Sequence, residues 1–281
     1  MHVSTPATLQ EALEELREHP NTVPLAGGTD LMVAINFGRE RPDRVMSLRR
    51  VEELEDLSTN GEVRCGARAT YTSMLAGLSD LVMLQACRTV GSPQIRNAGT
   101  LGGNLGTCSP AGDTLPALAA LDATVVVRSL DQERRLPITE FMQGPKKPDL
   151  RPAELVVGAE WQAAGKAQAF LKAGTRNAMV IAVASCALVL DPAGRRVGLA
   201  LGSVGPVVLR APEAERFAGG LLEESGWSLP LRLPASARDE FGRLAAAAAR
   251  PIDDVRGSAA YRRHVVAVMA ARALERACES A

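Results

Sequence analysis

Aromatic side chains are scarce in this 281-residue chain, with Phe, Trp and Tyr together making up 3% of it. Surfaces that stack nucleobases or sugar rings need several of them, so such platforms are disfavoured. Net charge is missing too. Lys+Arg and Asp+Glu number 32 each, which removes the electrostatic basis for binding nucleic acid or an anionic membrane. Histidine is rare, and His2, His19 and His264 are too far apart in sequence to form a metal motif. The five cysteines, Cys65, Cys87, Cys108, Cys186 and Cys278, include no C-x-x-C pair. Scattered and odd in number, they read as reduced structural thiols of a cytoplasmic protein with no zinc or iron–sulfur cluster of its own. No apolar run approaches the ~18 residues of a membrane span, and the N-terminus lacks the basic and apolar regions of a secretory signal. Neither a Walker pattern nor a G-x-G-x-x-G between strand and helix is present.

What the chain does have is glycine in two clusters. The first is Ala26-Gly27-Gly28-Thr29-Asp30, after a short apolar strand. The second spans Gly99 to Asp113 and holds five glycines together with Thr100, Asn104, Thr107, Ser109 and Asp113. Glycine admits positive φ and lets a ligand approach the backbone, and successive N–H groups in such turns form a nest for phosphate oxygens. Two nests facing one another suit the two phosphates of a dinucleotide. The plain alternative is a turn for the first cluster and a compact packing loop for the second. Thr100, Asn104 and Asp113 carry the hydroxyl, amide and carboxylate that ribose, ribityl or pyrophosphate groups accept.

With 46% hydrophobic residues, the length supports two or three small domains. The first is expected over 1–55: a helix opened by the Thr8/Glu11 capping box, strands at Val23–Ala26 and Val45–Leu48, and an apolar segment at Leu31–Ile35. The second is expected over 56–165, with a strand at Val63–Ala67, one helix from Thr72 to Val90, the glycine-rich loop, and strands at Thr124–Val127 and Leu155–Val157. The third, 166–281, reads as strands at Ala169–Lys172, Ser185–Leu190 and Val197–Leu201, then helices over Asp239–Ala249 and Ser258–Cys278. In the last helix Tyr261, Val265, Val268 and Met269 share a face. Strands followed by helices make an α+β domain.

Several segments together resemble one family. Ala26-Gly27-Gly28-Thr29-Asp30-Leu31 is similar to the first FAD-binding loop of the flavoprotein subunits of molybdenum hydroxylases, the xanthine dehydrogenase family. Arg96-Asn97-Ala98-Gly99-Thr100-Leu101-Gly102-Gly103-Asn104-Leu105, continued by Ser109-Pro110-Ala111-Gly112-Asp113-Thr114-Leu115-Pro116, is similar to the second. Lys172-Ala173-Gly174-Thr175-Arg176 resembles the basic motif opening their last domain. Pro251-Ile252-Asp253-Asp254-Val255-Arg256-Gly257-Ser258-Ala259-Ala260-Tyr261-Arg262-Arg263 resembles their C-terminal signature. The matches run in order from about residue 8 to 275, and the length suits a medium subunit of the carbon monoxide dehydrogenase type.

The resemblance implies an α+β protein: a two-lobed FAD-binding fold of the PCMH type, then a C-terminal α+β domain. It implies non-covalent FAD, with Ala26, Gly27, Gly28, Thr29 and Asp30 on one side of the pyrophosphate. Thr100, Gly103, Asn104 and Asp113 line the other side and the adjoining sugar groups. Lys172 falls where xanthine dehydrogenase relatives place a lysine near the isoalloxazine ring, a cation suited to the anionic reduced flavin. Partners are implied as well: a molybdopterin-binding large subunit and a [2Fe-2S] small subunit, in a dimer of heterotrimers that passes electrons through the flavin to a terminal acceptor. No acid–base catalyst is assigned, since the chemistry is the flavin's. Cys108 departs from the alanine common at its place and is expected to be a buried small hydrophobe rather than a redox thiol. The other readings are a stand-alone flavin oxidoreductase of the same fold and a flavin-free scaffold, against which the intact loops argue.

Overall fold

The structure, a computed structural model, describes residues 1–279. The chain begins with β1 (His2–Ser4), α1 (Leu9–Glu18), β2 (Val23–Leu25), α2 (Leu31–Asn36) and β3 (Arg44–Ser47). The Thr8 hydroxyl caps α1 by accepting from the Glu11 N–H at 3.2 Å, and the Glu11 carboxylate accepts in turn from the Ala7 N–H at 2.7 Å. Leu9, Ala12, Leu13 and Leu16 form the buried stripe of α1, as their helical spacing predicts. Strand β3 lies between β1 and β2, parallel to both. The apolar segment Leu31–Ile35 is the helix α2, and it buries no residue of its own.

Next come β4 (Leu57–Asn60), β5 (Glu62–Gly66), α3 (Tyr71–Gly77), α4 (Leu81–Thr89), α5 (Pro93–Ala98), α6 (Leu101–Thr107) and α7 (Thr114–Ala120). They are followed by β6 (Thr124–Arg128), β7 (Glu133–Pro137), α8 (Ile138–Phe141), β8 (Met142–Gly144), β9 (Lys147–Pro148) and β10 (Leu155–Gln162). An antiparallel sheet runs in the order β4-β5-β10-β6-β7, and β8 pairs with β9. Two sequence expectations need correction here. The single helix over Thr72–Val90 is two helices, because the Asp80 carboxylate leaves the helix to accept from Trp161 Nε1 at 3.0 Å and the Ala164 N–H at 3.2 Å. The Gln168 side chain then accepts from the Val82 N–H at 2.9 Å and caps the second helix from outside. Nor is the glycine-rich stretch a loop throughout: α6, capped by Thr100, occupies its first half, directly after α5 with its Ser92 cap.

The last part holds β11 (Gln168–Ala173), β12 (Ala184–Asp191), β13 (Arg196–Gly202), β14 (Leu209–Arg210), α9 (Pro212–Glu224), α10 (Ala235–Ala248) and α11 (Ala259–Glu279). The strands form an antiparallel sheet in chain order. Phe170, Ala187, Val189 and Ala200 face the core of the preceding domain, while Leu188, Leu190, Leu199 and Leu201 pack with α9, α10 and α11. That sheet is therefore buried on both faces, as its strands' near-continuous apolar runs require. Helix α9 has no counterpart in the sequence reading. The core side of α11 is Val266, Met269, Ala270, Ala273 and Leu274. Tyr261, Val265 and Val268 do share a face with Met269, but it lines an open groove beside β11.

Candidate functional site

The first glycine segment links β2 to α2. Gly28 holds φ +71°, a left-handed conformation open to glycine at little cost. A Cβ on Gly27 would stand 1.7 Å from the Ala98 carbonyl oxygen and 3.1 Å from Gly99 Cα, so the two glycine segments touch backbone to backbone. The Thr107 hydroxyl donates to Asp30 Oδ2 at 3.3 Å and joins them a second time. No acceptor among the described residues takes the N–H groups of Gly27, Gly28, Thr29, Asp30 or Leu31. Five consecutive donors on a partly exposed turn beside a second glycine segment make an anion nest.

The second segment is built differently. Thr100 is buried, and its hydroxyl accepts from the Gly103 N–H at 3.0 Å as the cap of α6. The Leu101 and Gly102 N–H groups bond to Ala69 and Ala67 carbonyls at 2.9 and 2.8 Å. Gly102 thus serves close packing, since a Cβ there would lie 2.6 Å from Ala67 Cβ. Gly103 faces open space apart from Thr100 Oγ1, which a Cβ would meet at 3.0 Å. Asn104 turns inward, its amide donating to Thr114 Oγ1 at 2.5 Å. Cys108 is 1% exposed in a left-handed conformation, and burial raises its thiol pKa, as expected of a small buried hydrophobe.

Asp113 and Lys172 meet although 59 residues apart in sequence. Lys172 Nζ lies 2.6 Å from Asp113 Oδ2, with the two side chains 8% and 6% exposed. The same ammonium donates to the Thr89 carbonyl at 3.1 Å, and the Thr89 hydroxyl donates to Asp113 Oδ2 at 3.2 Å. Asp113 Oδ1 is buried and has no partner. Lys172 is therefore one half of an ion pair rather than a free cation. Burial raises the Asp113 carboxyl above its ordinary value by more than Lys172 and Thr89 lower it. Arg176 folds back onto the carbonyls of Ala178 and Met179.

The structure thus brings Ala26–Asp30 against the 98–107 segment and Asp113 against Lys172. The Thr100 hydroxyl caps α6, and the Asn104 amide donates to the Thr114 hydroxyl. Thr89 escaped the sequence reading, because a lone threonine on a helix carries no signal until its neighbours are known, and Thr107 was named in the second cluster without a role. The groove of about 500 Å³ between β11 and α11 touches this site only at Lys172. Among the described residues no group of His, Cys, Asp and Glu is placed to hold a metal ion.

Comparison with known proteins establishes the family and the fold. Residues 1–160 match the family model for the FAD binding domain in molybdopterin dehydrogenase, and residues 169–277 match the CO dehydrogenase flavoprotein C-terminal domain. The glyceraldehyde dehydrogenase medium chain of Sulfolobus acidocaldarius is 32% identical over 279 residues, 95% of each chain. The nicotinate dehydrogenase FAD-subunit of Eubacterium barkeri is 34% identical over 231 residues, 76% of this chain and 78% of that one. Among solved structures, the reconstituted CO dehydrogenase from Oligotropha carboxidovorans superposes with a TM-score of 0.89 at 25% identity, covering 100% of this chain and 98% of that one. Family models, relatives and solved folds agree: the chain belongs to the FAD-binding subunits of the molybdenum hydroxylase family, the flavoprotein components of molybdenum-containing dehydrogenases.

Proposed function

We propose that this chain holds one FAD non-covalently between its two glycine segments and relays electrons within a larger complex. The observation that carries the reading is the run of uncommitted N–H donors from Gly27 to Leu31, pressed against the second segment by the Gly27–Ala98 contact. Ala26, Gly27, Gly28, Thr29 and Asp30 bind one side of the pyrophosphate. Gly103 leaves the opposite surface free of side chain, and Thr100 and Asn104 hold that surface in shape from beneath. Asp113, with one buried oxygen unpartnered, offers that oxygen to the cofactor while Lys172 balances its charge. When bound, FAD supplies the exchange between one- and two-electron transfer, while the protein supplies position and electrostatics.

Electrons reach this subunit from a [2Fe-2S] small subunit, reduced by a molybdopterin-binding large subunit, and leave to a terminal acceptor. The names of the relatives, a medium chain and an FAD-subunit, support membership of such an assembly, for which we propose a dimer of heterotrimers. Division into lobes at 1–55 and 56–165 and a third domain at 166–281 is part of the same proposal, and the family-model limits at 160 and 169 support the last of these boundaries. Five free buried cysteines fit a cytoplasmic setting.

The test is the visible spectrum of the full chain after incubation with FAD and desalting, beside Gly103→Val. About one releasable FAD per wild-type chain and none in a folded Gly103→Val variant are expected, because the valine fills the face that glycine leaves open. A colourless, folded wild-type chain, or undiminished flavin in the variant, contradicts the loop assignment.

A further inference from the structure

The C-terminal signature Pro251–Arg263 has no part in the flavin cradle, yet its buried arginine reaches toward it. Arg262 lies in the first turns of α11 with its side chain 6% exposed. One arm of its guanidinium donates to the Ser203 carbonyl at 2.7 Å, and the other meets Asp254 Oδ1 at 2.6 Å. Asp254 is itself held in place by accepting from the Arg256 N–H at 2.7 Å. The arginine thus bridges a signature loop and the end of β13.

Ser203 is the other half of the device. It adopts φ +62°, a left-handed conformation that a non-glycine residue keeps only when its surroundings hold it there. Its hydroxyl is buried without a partner, so the side chain does not account for the conformation. The backbone does: the Ser203 N–H donates to the Pro110 carbonyl at 2.8 Å, and its carbonyl takes the Arg262 guanidinium. Pro110 opens the turn that ends in Asp113. Within it, Gly112 N–H donates to the Ser109 carbonyl at 2.9 Å and Ala111 N–H to Ser109 Oγ at 3.3 Å. That turn is gripped by the C-terminal domain at one end through Ser203 and at the other through Lys172.

We infer that Arg262 is a positioning residue: by fixing the Ser203 backbone it sets the Pro110–Asp113 turn, and with it the placement of Asp113. A guanidinium suits the task because its rigid fork serves a carbonyl and a carboxylate together, which an ammonium at the end of a flexible stem does not. The consequence for FAD rests on the functional reading above. The consequence for the turn does not.

The test uses the full chain with Arg262→Lys, with Asp113→Asn, and with both. Amide hydrogen exchange is followed in the flavin-free proteins, and FAD affinity by titration. In Arg262→Lys the amides of Ala111 and Gly112 are expected to exchange about tenfold faster, while those of β12 and α10 keep their wild-type rates. FAD is expected to bind about tenfold more weakly, and the lysine substitution should add less than about twofold once Asp113 is already Asn. Should Arg262→Lys fail to fold, Asp254→Asn removes the charge behind one arm and should give the same pattern more weakly. Unchanged exchange in the turn overturns the inference. So does acceleration spread evenly through the C-terminal domain, the mark of a plain loss of stability. Faster exchange confined to the turn, with FAD affinity unaltered in both single variants, upholds the positioning role and refutes the flavin assignment of Asp113.

Discussion

Asp113 and Lys172 are both nearly closed to water and pair directly with one another. Burial pushes the Asp113 carboxyl above its ordinary value, against the lowering effect of Lys172 and Thr89. A carboxyl raised on folding favours the fold when protonated, below its unfolded value, and loses that contribution as pH rises through the folded value. Lys172→Met keeps the bulk of the stem but strands the carboxylate, at a cost of about 3–5 kcal/mol while Asp113 remains ionised. Without the cation the carboxyl rises further. The deficit of the variant in urea unfolding is therefore expected to shrink as pH falls and Asp113 takes a proton. A deficit independent of pH would show that the pair is not the source of the loss. Neither the pair nor its pH dependence was legible in the sequence. Both residues were singled out, Asp113 as a ligand of the cofactor and Lys172 as a cation near the ring, and only the fold makes them partners.

Helix α7 is one of the elements that pack against the C-terminal sheet. Its first residues follow Asp113, and its far end is gripped from the C-terminal sheet. Arg196 and Arg210 both reach Asp122, and they donate to the carbonyls of Ala120 and Ala119 at 3.0 and 2.9 Å. Cations over the terminal carbonyls of a helix also complement its dipole. Beneath them β13 passes so close that a Cβ on Gly198 would stand 2.0 Å from the Ala120 carbonyl oxygen. Backbone cannot yield as a flexible side chain can, so Gly198→Ala is expected to lower the urea midpoint by the equivalent of about 2 kcal/mol or more, with the slope unchanged. A midpoint equal to wild type would mean that helix and strand are not packed this tightly. In the sequence, Gly198 is one glycine in an apolar strand. Its role belongs to an element more than 70 positions away, as the Arg196–Ala120 separation of 76 shows.

At the scale of the whole molecule, the buried interior accounts for the cysteines. All five are buried and free. Burial pushes Cys65 and Cys186 up to about 12 and Cys278 up to about 11. Neutral, inaccessible thiols are poor nucleophiles. The native chain is therefore expected to be unreactive toward a thiol-specific reagent at about pH 8, with all five groups titrating after unfolding. Rapid labelling of any one cysteine in the native chain would contradict the packing around it.

Whatever depends on local chemistry was determined by the sequence alone. The Thr8/Glu11 cap, the strands at Ser185–Leu190 and Val197–Leu201, the two glycine segments and the order of the family motifs are all properties of neighbouring residues. A capping hydroxyl, a pleated apolar run and a turn glycine act over a few positions, so they can be read in one dimension. Tertiary structure decided everything that needs two distant segments. It broke the 72–90 helix where Asp80 finds Trp161, turned the first half of the glycine stretch into a short capped helix, and bonded Asn104 to Thr114. It also left five N–H groups of the first segment uncommitted and paired Asp113 with Lys172. The physical reason is that hydrogen bonds and buried charges must be satisfied by whichever groups the fold brings near, and a sequence names those groups without saying which of them will meet.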